Sequence, residues 1–374
     1  MVAAELLAVM RGGKDAELHL NFPFKLSRAN YHQRTNPRAT LRSCRHSLRH
    51  SSLTSLQFFV FAALVIYCFH FGHLYSTTQT ELVVAYPPLE HENGIPSSSS
   101  PRATLAITGI LAMGDERGAQ LVVCSVAPKT SQPPFEAVAK IFDALYYPFE
   151  SRVAAHVPSN TAKQADVDYT HEAAALGYLR KARQSGRTGL CAPKYFGSWT
   201  FSLPITHAGK TLKRSVRLVL MENIKGPSIW RICRNPVELS RYTEQDRLSI
   251  LARVLDGIVR QRHAGVYQRD LASRNVILRP SSSSSLPEPI VVDYNIAVVF
   301  ELSRRGKAPC QLAKLPENPM QFFWDTSFAE FAGWTPSDWK NSLRHSQRWL
   351  KEHFGGNEAS NYAPVGVKLE FAEC

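Results

Sequence analysis

The stretch "VYQRDLASRN", Val266–Asn275, decides how this chain is read. An apolar Val-Tyr step runs into Arg269 and Asp270, and an asparagine follows five residues after the aspartate. An ordinary polar loop is one reading; half of a site for moving phosphate is the other. The next residues separate the two. Two short apolar runs, "VILR" (276–279) and "IVVD" (290–293), flank "PSSSSSLPEP", whose Ser281–Ser285 reads as a flexible insertion. If the runs pair as an antiparallel ribbon, Asn275 and Asp293 lie at the same end of it. An amide oxygen and a carboxylate then converge, the kind of oxygen set that hard divalent cations such as Mg²⁺ accept. Asp270 precedes Asn275 in the same loop, so two carboxylates and an amide can hold a metal and orient an attacking hydroxyl.

Outward from this stretch, periodicity predicts the neighbouring elements. Thr243 caps a helix over 243–263, with Asp246 three residues on. Leu248, Leu251, Val254, Leu255, Ile258 and Val259 repeat at helical spacing, and Gly265 stops the helix. Upstream, "TLAITGILAMG" and "AQLVVCSV" read as strands around the turn "DERG", and "FEAVAKIF" and "RSVRLVLME" as two more. "DYTHEAAALGYLRKA" favours a helix. Downstream, Thr335 is expected to cap a helix with Pro336 in its first turn. Trp339, Leu343, Leu350 and Phe354 form its apolar stripe and Gly355 its end. Trp334, Trp339 and Trp349 read as packing residues.

These landmarks resemble the protein-kinase superfamily. "QRDLASRN" is similar to that family's catalytic loop, with Gln268 where histidine is usual. "DYN" (293–295) resembles its metal-binding Asp-Phe-Gly, and "AVAKIF" its lysine-bearing strand. "LVLMENIKG" is similar to its gatekeeper and hinge. "APKYFGSWT" and "FAGWTPSDW" resemble divergent fungal protein-kinase-like domains. The resemblance implies an α+β, two-lobed protein-kinase-like fold with a β-rich N-lobe (about 102–224) and a shortened, mainly helical C-lobe (about 225–374). It also implies ATP-dependent phosphotransfer to a protein or small-molecule hydroxyl, with ATP and Mg²⁺ as cofactors. Lys140 would neutralise the α/β-phosphates and Glu172 would pair with it. Asp270 would accept or orient the acceptor proton, with Arg269 beside it. Asn275 and Asp293 would bind metal. Gly114 and Gly118 would approach phosphate, and Met221, Glu222 and Ile224 would line the hinge.

The departures favour a pseudokinase as the alternative. The glycine loop lacks the family spacing, and Asp115 and Glu116 would repel phosphate. Gln268 removes the ring that braces the metal motif, and Asn295 replaces a glycine. Arg274 stands where tyrosine kinases carry an arginine, but no Ala-Pro-Glu follows Asp293, which leaves the peptide platform in doubt.

Composition bounds the rest. The chain has 374 residues, 44% of them hydrophobic, enough for two packed lobes. The net charge of +13 suggests an acidic partner. However, residues 1–50 carry nine Lys/Arg against three acids, six of those thirteen charges, so a basic tail (1–55) explains much of it and nucleic acid is disfavoured. Seven scattered cysteines without Cys-x-x-Cys argue against a disulfide framework and point to a reducing compartment. Residues 56–75 are hydrophobic, with twelve uninterrupted apolar residues at Phe58–Phe69. A spanning helix needs about 20, so the segment is a candidate membrane anchor or a buried helix. The basic flank would leave the remaining chain outside the cytoplasm, in conflict with ATP chemistry. The expected location is therefore a cytoplasmic catalytic domain, with anchoring through 56–75 left open. Residues 76–101 read as a Pro/Ser linker.

Overall fold

The structure, a computed structural model, describes residues 77–88, 102–114, 117–129, 132–150, 158–282, 286–304 and 306–372, and the backbone of 16–21. The segment 56–75, most of the 1–55 tail, Asp115, Glu116 and Ser283–Ser285 lie outside them. Among the described residues no helix is long and apolar enough to cross a membrane. The architecture is mixed: an antiparallel sheet and several helices, in two compact units. One unit comprises residues up to Tyr169 with Ser198–Leu218; the other comprises Thr170–Gly197 and everything from Val219.

The first unit is built on strands. They are β1 (Ala16–Asn21), β2 (Arg102–Ala112), β3 (Gln120–Pro128), β4 (Phe135–Phe142), β5 (Tyr195–His207) and β6 (Lys210–Met221). Their order is β1-β2-β3-β4-β6-β5, closed into a barrel because β1 pairs with both β2 and β5. Closure removes sheet edges. β5 and β6 are joined by Ala208 and Gly209, both at positive φ (48° and 71°), the two-residue turn that suits strand twist. Along β3, Val122, Cys124 and Val126 are buried in alternation. β4 is buried on both faces from Ala137 to Phe142, and Tyr169 packs edge-on against Phe142 at its end.

Two findings here differ from the sequence reading. β1 lies within the supposed tail, and helix α1 (Gln79–Ala85) lies within the supposed linker. α1 has a local cause: Thr78 and Glu81 form a reciprocal capping box. It then buries Leu82 and Val83, while Gln79 donates to the carbonyls of Ala144 and Tyr147. Helix α2 (Thr161–Gln184) begins seven residues before the expected Asp168.

The second unit is organised by α3 (Glu244–His263), capped by Thr243 with Asp246 as expected and followed by Gly265 at φ 100°. Its apolar side, Ile250, Leu251, Val254, Leu255, Ile258 and Val259, is fully buried. Arg247 Nε donates to the Trp334 carbonyl and Trp334 Nε1 to the Arg247 carbonyl, which ties the C-terminal segment to α3. The last long helix, α4 (Leu343–Phe354), is capped by Ser342 rather than by Thr335. Thr335 Oγ1 is committed to the Phe331 carbonyl, and 337–340 forms only a 3₁₀ turn. Gly355 does end α4.

Two small ribbons position the loops. β7 (Val266–Tyr267) pairs with β10 (Val298–Val299), and β8 (Val276–Arg279) pairs antiparallel with β9 (Glu288–Val291). The chain runs β7, loop, β8, then β9, loop, β10. Cross-pairing the ribbons therefore forces the two loops, 268–275 and 292–297, to lie side by side. Close approach secures the outer ribbon: a Cβ on Gly226 would fall 2.0 Å from the Leu278 carbonyl oxygen. Gly226→Ala should therefore cost about 1–3 kcal/mol or more through forced backbone displacement, measured by urea denaturation. An unchanged midpoint would contradict this packing.

Candidate active site

The site in the second unit is assembled from backbone register upward. Val276 opposes Val291 in the β8–β9 ribbon, and Val292 N–H donates to the Asn275 carbonyl (2.8 Å). Asn275 and Asp293 thus stand at one end of the ribbon, as the alternating pattern predicts. Asn275 Nδ2 donates to the Asp270 carboxylate (2.9 Å) and to its carbonyl (3.0 Å). That orientation leaves the Asn275 Oδ1 without a hydrogen bond among the described residues, an acceptor of the type a hard cation takes.

Asp293 adopts φ 67°, a left-handed conformation that a non-glycine residue occupies at a cost of about 1–3 kcal/mol. Three side chains hold the turn. Gln268 Nε2 donates to the Asp293 carbonyl (2.7 Å) and more weakly to that of Val292 (3.3 Å). Tyr294 N–H donates to Glu172 Oε2 (3.0 Å), and His171 Nδ1 donates to the Asn295 carbonyl (3.0 Å). Each neutral bond contributes about 0.5–1.5 kcal/mol, and one to a carboxylate about 1.5–3. Together they offset the strain. Burial lowers the His171 pKa, countered by its bond to Asn295 and reinforced by the nearby Arg269 charge. Burial also raises the pKa of Tyr294, whose hydroxyl donates to the Val291 carbonyl.

Asp270 is held on both oxygens. Arg274 Nη2 donates to Oδ1 (2.5 Å), Asn275 Nδ2 to Oδ2, and Arg274 Nη1 also reaches Glu330 (2.9 Å). The Arg274 side chain is 50% exposed, so these pairs orient Asp270 more than they stabilise the fold. Arg269 is exposed and makes no hydrogen bond or ion pair among the described residues; its charge acts on His171.

Met221, Glu222 and Ile224 belong to the same unit. Met221 is buried. The Glu222 carboxylate accepts from Arg279, which also grips Glu288, and from Lys194 N–H; Glu222 N–H donates back to the Lys194 carbonyl. The Glu222 carbonyl and both backbone groups of Ile224 have no hydrogen-bond partner among the described residues.

In the first unit, Lys140 stands on β4 with Val138 and Phe142, is 6% exposed, and lies 5.7 Å from the Phe142 ring centroid. The Gly114 N–H donates to Gln120 Oε1 (3.0 Å) and its carbonyl accepts from Gln120 Nε2 (3.2 Å), so both backbone groups are already hydrogen-bonded. Gly118 packs on Tyr147, whose hydroxyl donates to Asp168; an added Cβ would meet the ring at 3.0 Å. Among the described residues no cluster of three or more His, Cys, Asp or Glu side chains could hold a metal. The four described cysteines, Cys124, Cys191, Cys233 and Cys310, are free thiols.

The sequence reading missed three participants. Gln268, read as the loss of a brace, donates to the Asp293 and Val292 carbonyls. Glu330, 56 residues from Arg274, completes that arginine's pairing. Gln120 occupies the Gly114 amide. Only Gln120 had a local signal, a buried amide two residues past a glycine turn.

No protein-family model matches the chain, and no curated protein matches it. Among solved structures, one described as the structure of vaccinia related kinase 3 is similar at 14% identity, with a TM-score of 0.33. The likeness covers 61% of this chain and 58% of that one, so the chain spans less than two thirds of that neighbour's length. A likeness this slight carries no assignment.

Asn275→Asp should destabilise the protein more than Asn275→Ala at pH 7.5, because it removes a donor to Asp270 and adds a like charge beside it. The difference should be about 1 kcal/mol or more by chemical denaturation. Equal stabilities would mean that Asp270 and Asn275 are not in contact.

Proposed function

We propose that the chain is an ATP-dependent phosphotransferase with a two-lobed protein-kinase-like fold. The observation that carries this reading is that the β8–β9 ribbon brings Asn275 and Asp293 to one end, where Asn275 Nδ2 donates to the Asp270 carboxylate. MgATP supplies the γ-phosphoryl group and the cation that neutralises its charge. Asn275 Oδ1 and the Asp293 carboxylate are the residues to hold the metal, and Lys140 to meet the α/β-phosphates. The unpartnered backbone of Ile224 is suited to the adenine edge. Asp270 takes the proton of the acceptor hydroxyl as its oxygen bonds to phosphorus and the β–γ bridge breaks, releasing ADP. The acceptor is a protein or small-molecule hydroxyl.

A pseudokinase that binds nucleotide weakly is the second reading. It is favoured by the Gly114 amide being spent on Gln120 and by the Asp270 oxygens already being bonded. Thermal melting of the full-length chain separates them in two stages. MgATP at millimolar concentration should raise the melting temperature by mass action, and Lys140→Met and Asp293→Asn should each abolish most of that shift. Asp270→Asn should keep the shift and lower ATP turnover by about 10²–10⁴-fold. No shift for wild type removes the enzyme reading; a shift with equal turnover in Asp270→Asn leaves the pseudokinase.

A further inference from the structure

We propose that the second unit carries a peptide-reading groove between the short helix Pro319–Phe323 and α4. Its ligand is an extended segment that offers a carbonyl, an aromatic ring and an N–H on three successive residues. The chain's own Glu370, Phe371 and Ala372 fill it as a displaceable strap. Nothing in this rests on phosphotransfer chemistry. The fold sets the polar atoms of the groove from below. Trp324, 5% exposed, follows the short helix, and Gln347, 1% exposed, lies on α4. Gln347 Nε2 donates to the Trp324 carbonyl at 3.2 Å, which fixes the amide plane and presents Oε1 to the tail. Trp324 Nε1 donates to the Glu370 carbonyl at 2.7 Å, and Gln347 Oε1 accepts the Ala372 N–H at 2.8 Å. Between these anchors the Phe371 ring centroid lies 5.2 Å from that of Trp324. Lys351 Nζ stands 5.6 Å from the Phe371 ring and the Arg344 guanidinium 5.8 Å. An aromatic neighbour and two cations around one ring select an aromatic side chain at that place.

The strap is held as a ligand is held. Residues 364–372 form no helix or strand. Among the described residues their main chain makes three hydrogen bonds, all to side chains: the two above, and one from the Gly366 N–H to Gln321 Oε1 (2.8 Å). Gly366, Val367, Lys368 and Glu370 are exposed, and Phe371 is 39% exposed. A segment with so little buried apolar surface opens locally at far less cost than global unfolding. Its departure leaves the Trp324 donor and the Gln347 acceptor without their partners, so the open groove favours recapture of a matching peptide. The near end of the strap stays fixed. The Ala363 N–H donates to the Pro316 carbonyl (2.8 Å), and the Tyr362 hydroxyl donates to Asp256 (2.8 Å). That tether keeps Phe371 close to the groove at a high effective concentration, which makes the chain's own tail the occupant.

The test uses the full-length chain and a fluorescein-labelled peptide with the sequence of residues 366–372, GVKLEFA, amidated at its C-terminus. Phe371→Ala loosens the strap and leaves the place of its ring open. By fluorescence anisotropy the peptide should bind Phe371→Ala about tenfold or more tighter than wild type, where the tethered tail competes. The same peptide with alanine in place of phenylalanine should bind Phe371→Ala about tenfold or more weaker. Adding Trp324→Phe to Phe371→Ala keeps a ring but removes the Nε1 donor, and should weaken peptide binding about fivefold or more. No binding to Phe371→Ala at millimolar peptide overturns the groove, and equal binding of the alanine peptide overturns its reading of the ring. Should either variant fail to fold, amide hydrogen exchange on wild type decides. The Ala372 N–H should exchange about tenfold or more slower than in the free peptide, and about tenfold or more faster than the Leu350 N–H of α4. No protection at Ala372 overturns the anchor, and protection equal to that of Leu350 overturns the displaceable strap. A wild-type dimer in sedimentation that the peptide splits overturns the tethered occupant and assigns the groove to the tail of a second copy.

Discussion

The left-handed turn at Asp293 is the constraint on which the second unit's polar centre depends. A non-glycine residue holds φ 67° only when its surroundings over-determine it. Here they do so from two directions. Gln268 grips the carbonyl of Asp293, and α2 receives the following N–H on Glu172 and donates to the next carbonyl from His171. Glu172 is fully buried, so its bond to Tyr294 is shielded from water and worth more than an exposed one. The conformation is thus stabilised by three contacts, of which the buried bond to the Glu172 carboxylate is the strongest.

The ribbons explain why those contacts can form. Pairing β8 with β9 and β7 with β10 makes two loops neighbours although their polar residues lie far apart in sequence. Asn275 then serves twice: its backbone carbonyl closes the ribbon through Val292, and its side-chain amide orients Asp270. Outside the ribbon, Arg279 links Glu222 to Glu288, so the segment after β6 is fastened to the same hairpin that carries Asn275. Packing, register and polar geometry share the same few residues.

What could be read in the sequence follows the range of each interaction. The capping of α3 by Thr243 and Asp246, and the register of β8 on β9, depend on residues close together, and both were legible. α1 was equally local, since Thr78 and Glu81 spell its cap, but a run of prolines and serines hid it. β5 was missed because Gly197, Ser198 and Pro204 interrupt an alternation that Trp199, Phe201, Leu203 and Ile205 keep in the fold. Thr335 and Ser342 are equivalent as caps on paper; the choice falls to Ser342 because the segment after Thr335 forms only a 3₁₀ turn and the helix starts at Leu343. Gln268 and Glu330 were illegible, since an amide or a carboxylate shows its role only when the group opposite is known. Arg269, bold in the motif, makes no hydrogen bond or ion pair among the described residues, and its charge reaches His171.

The most direct measurement is the position of a bound cation. A crystal structure of the full-length chain with Mn²⁺ and a non-hydrolysable ATP analogue would locate it by anomalous scattering. The account predicts a metal peak bonded to both Asn275 Oδ1 and the Asp293 carboxylate, with Asp293 still left-handed. A peak held by other residues, or an Asp293 turn that has relaxed to negative φ around the metal, would contradict it.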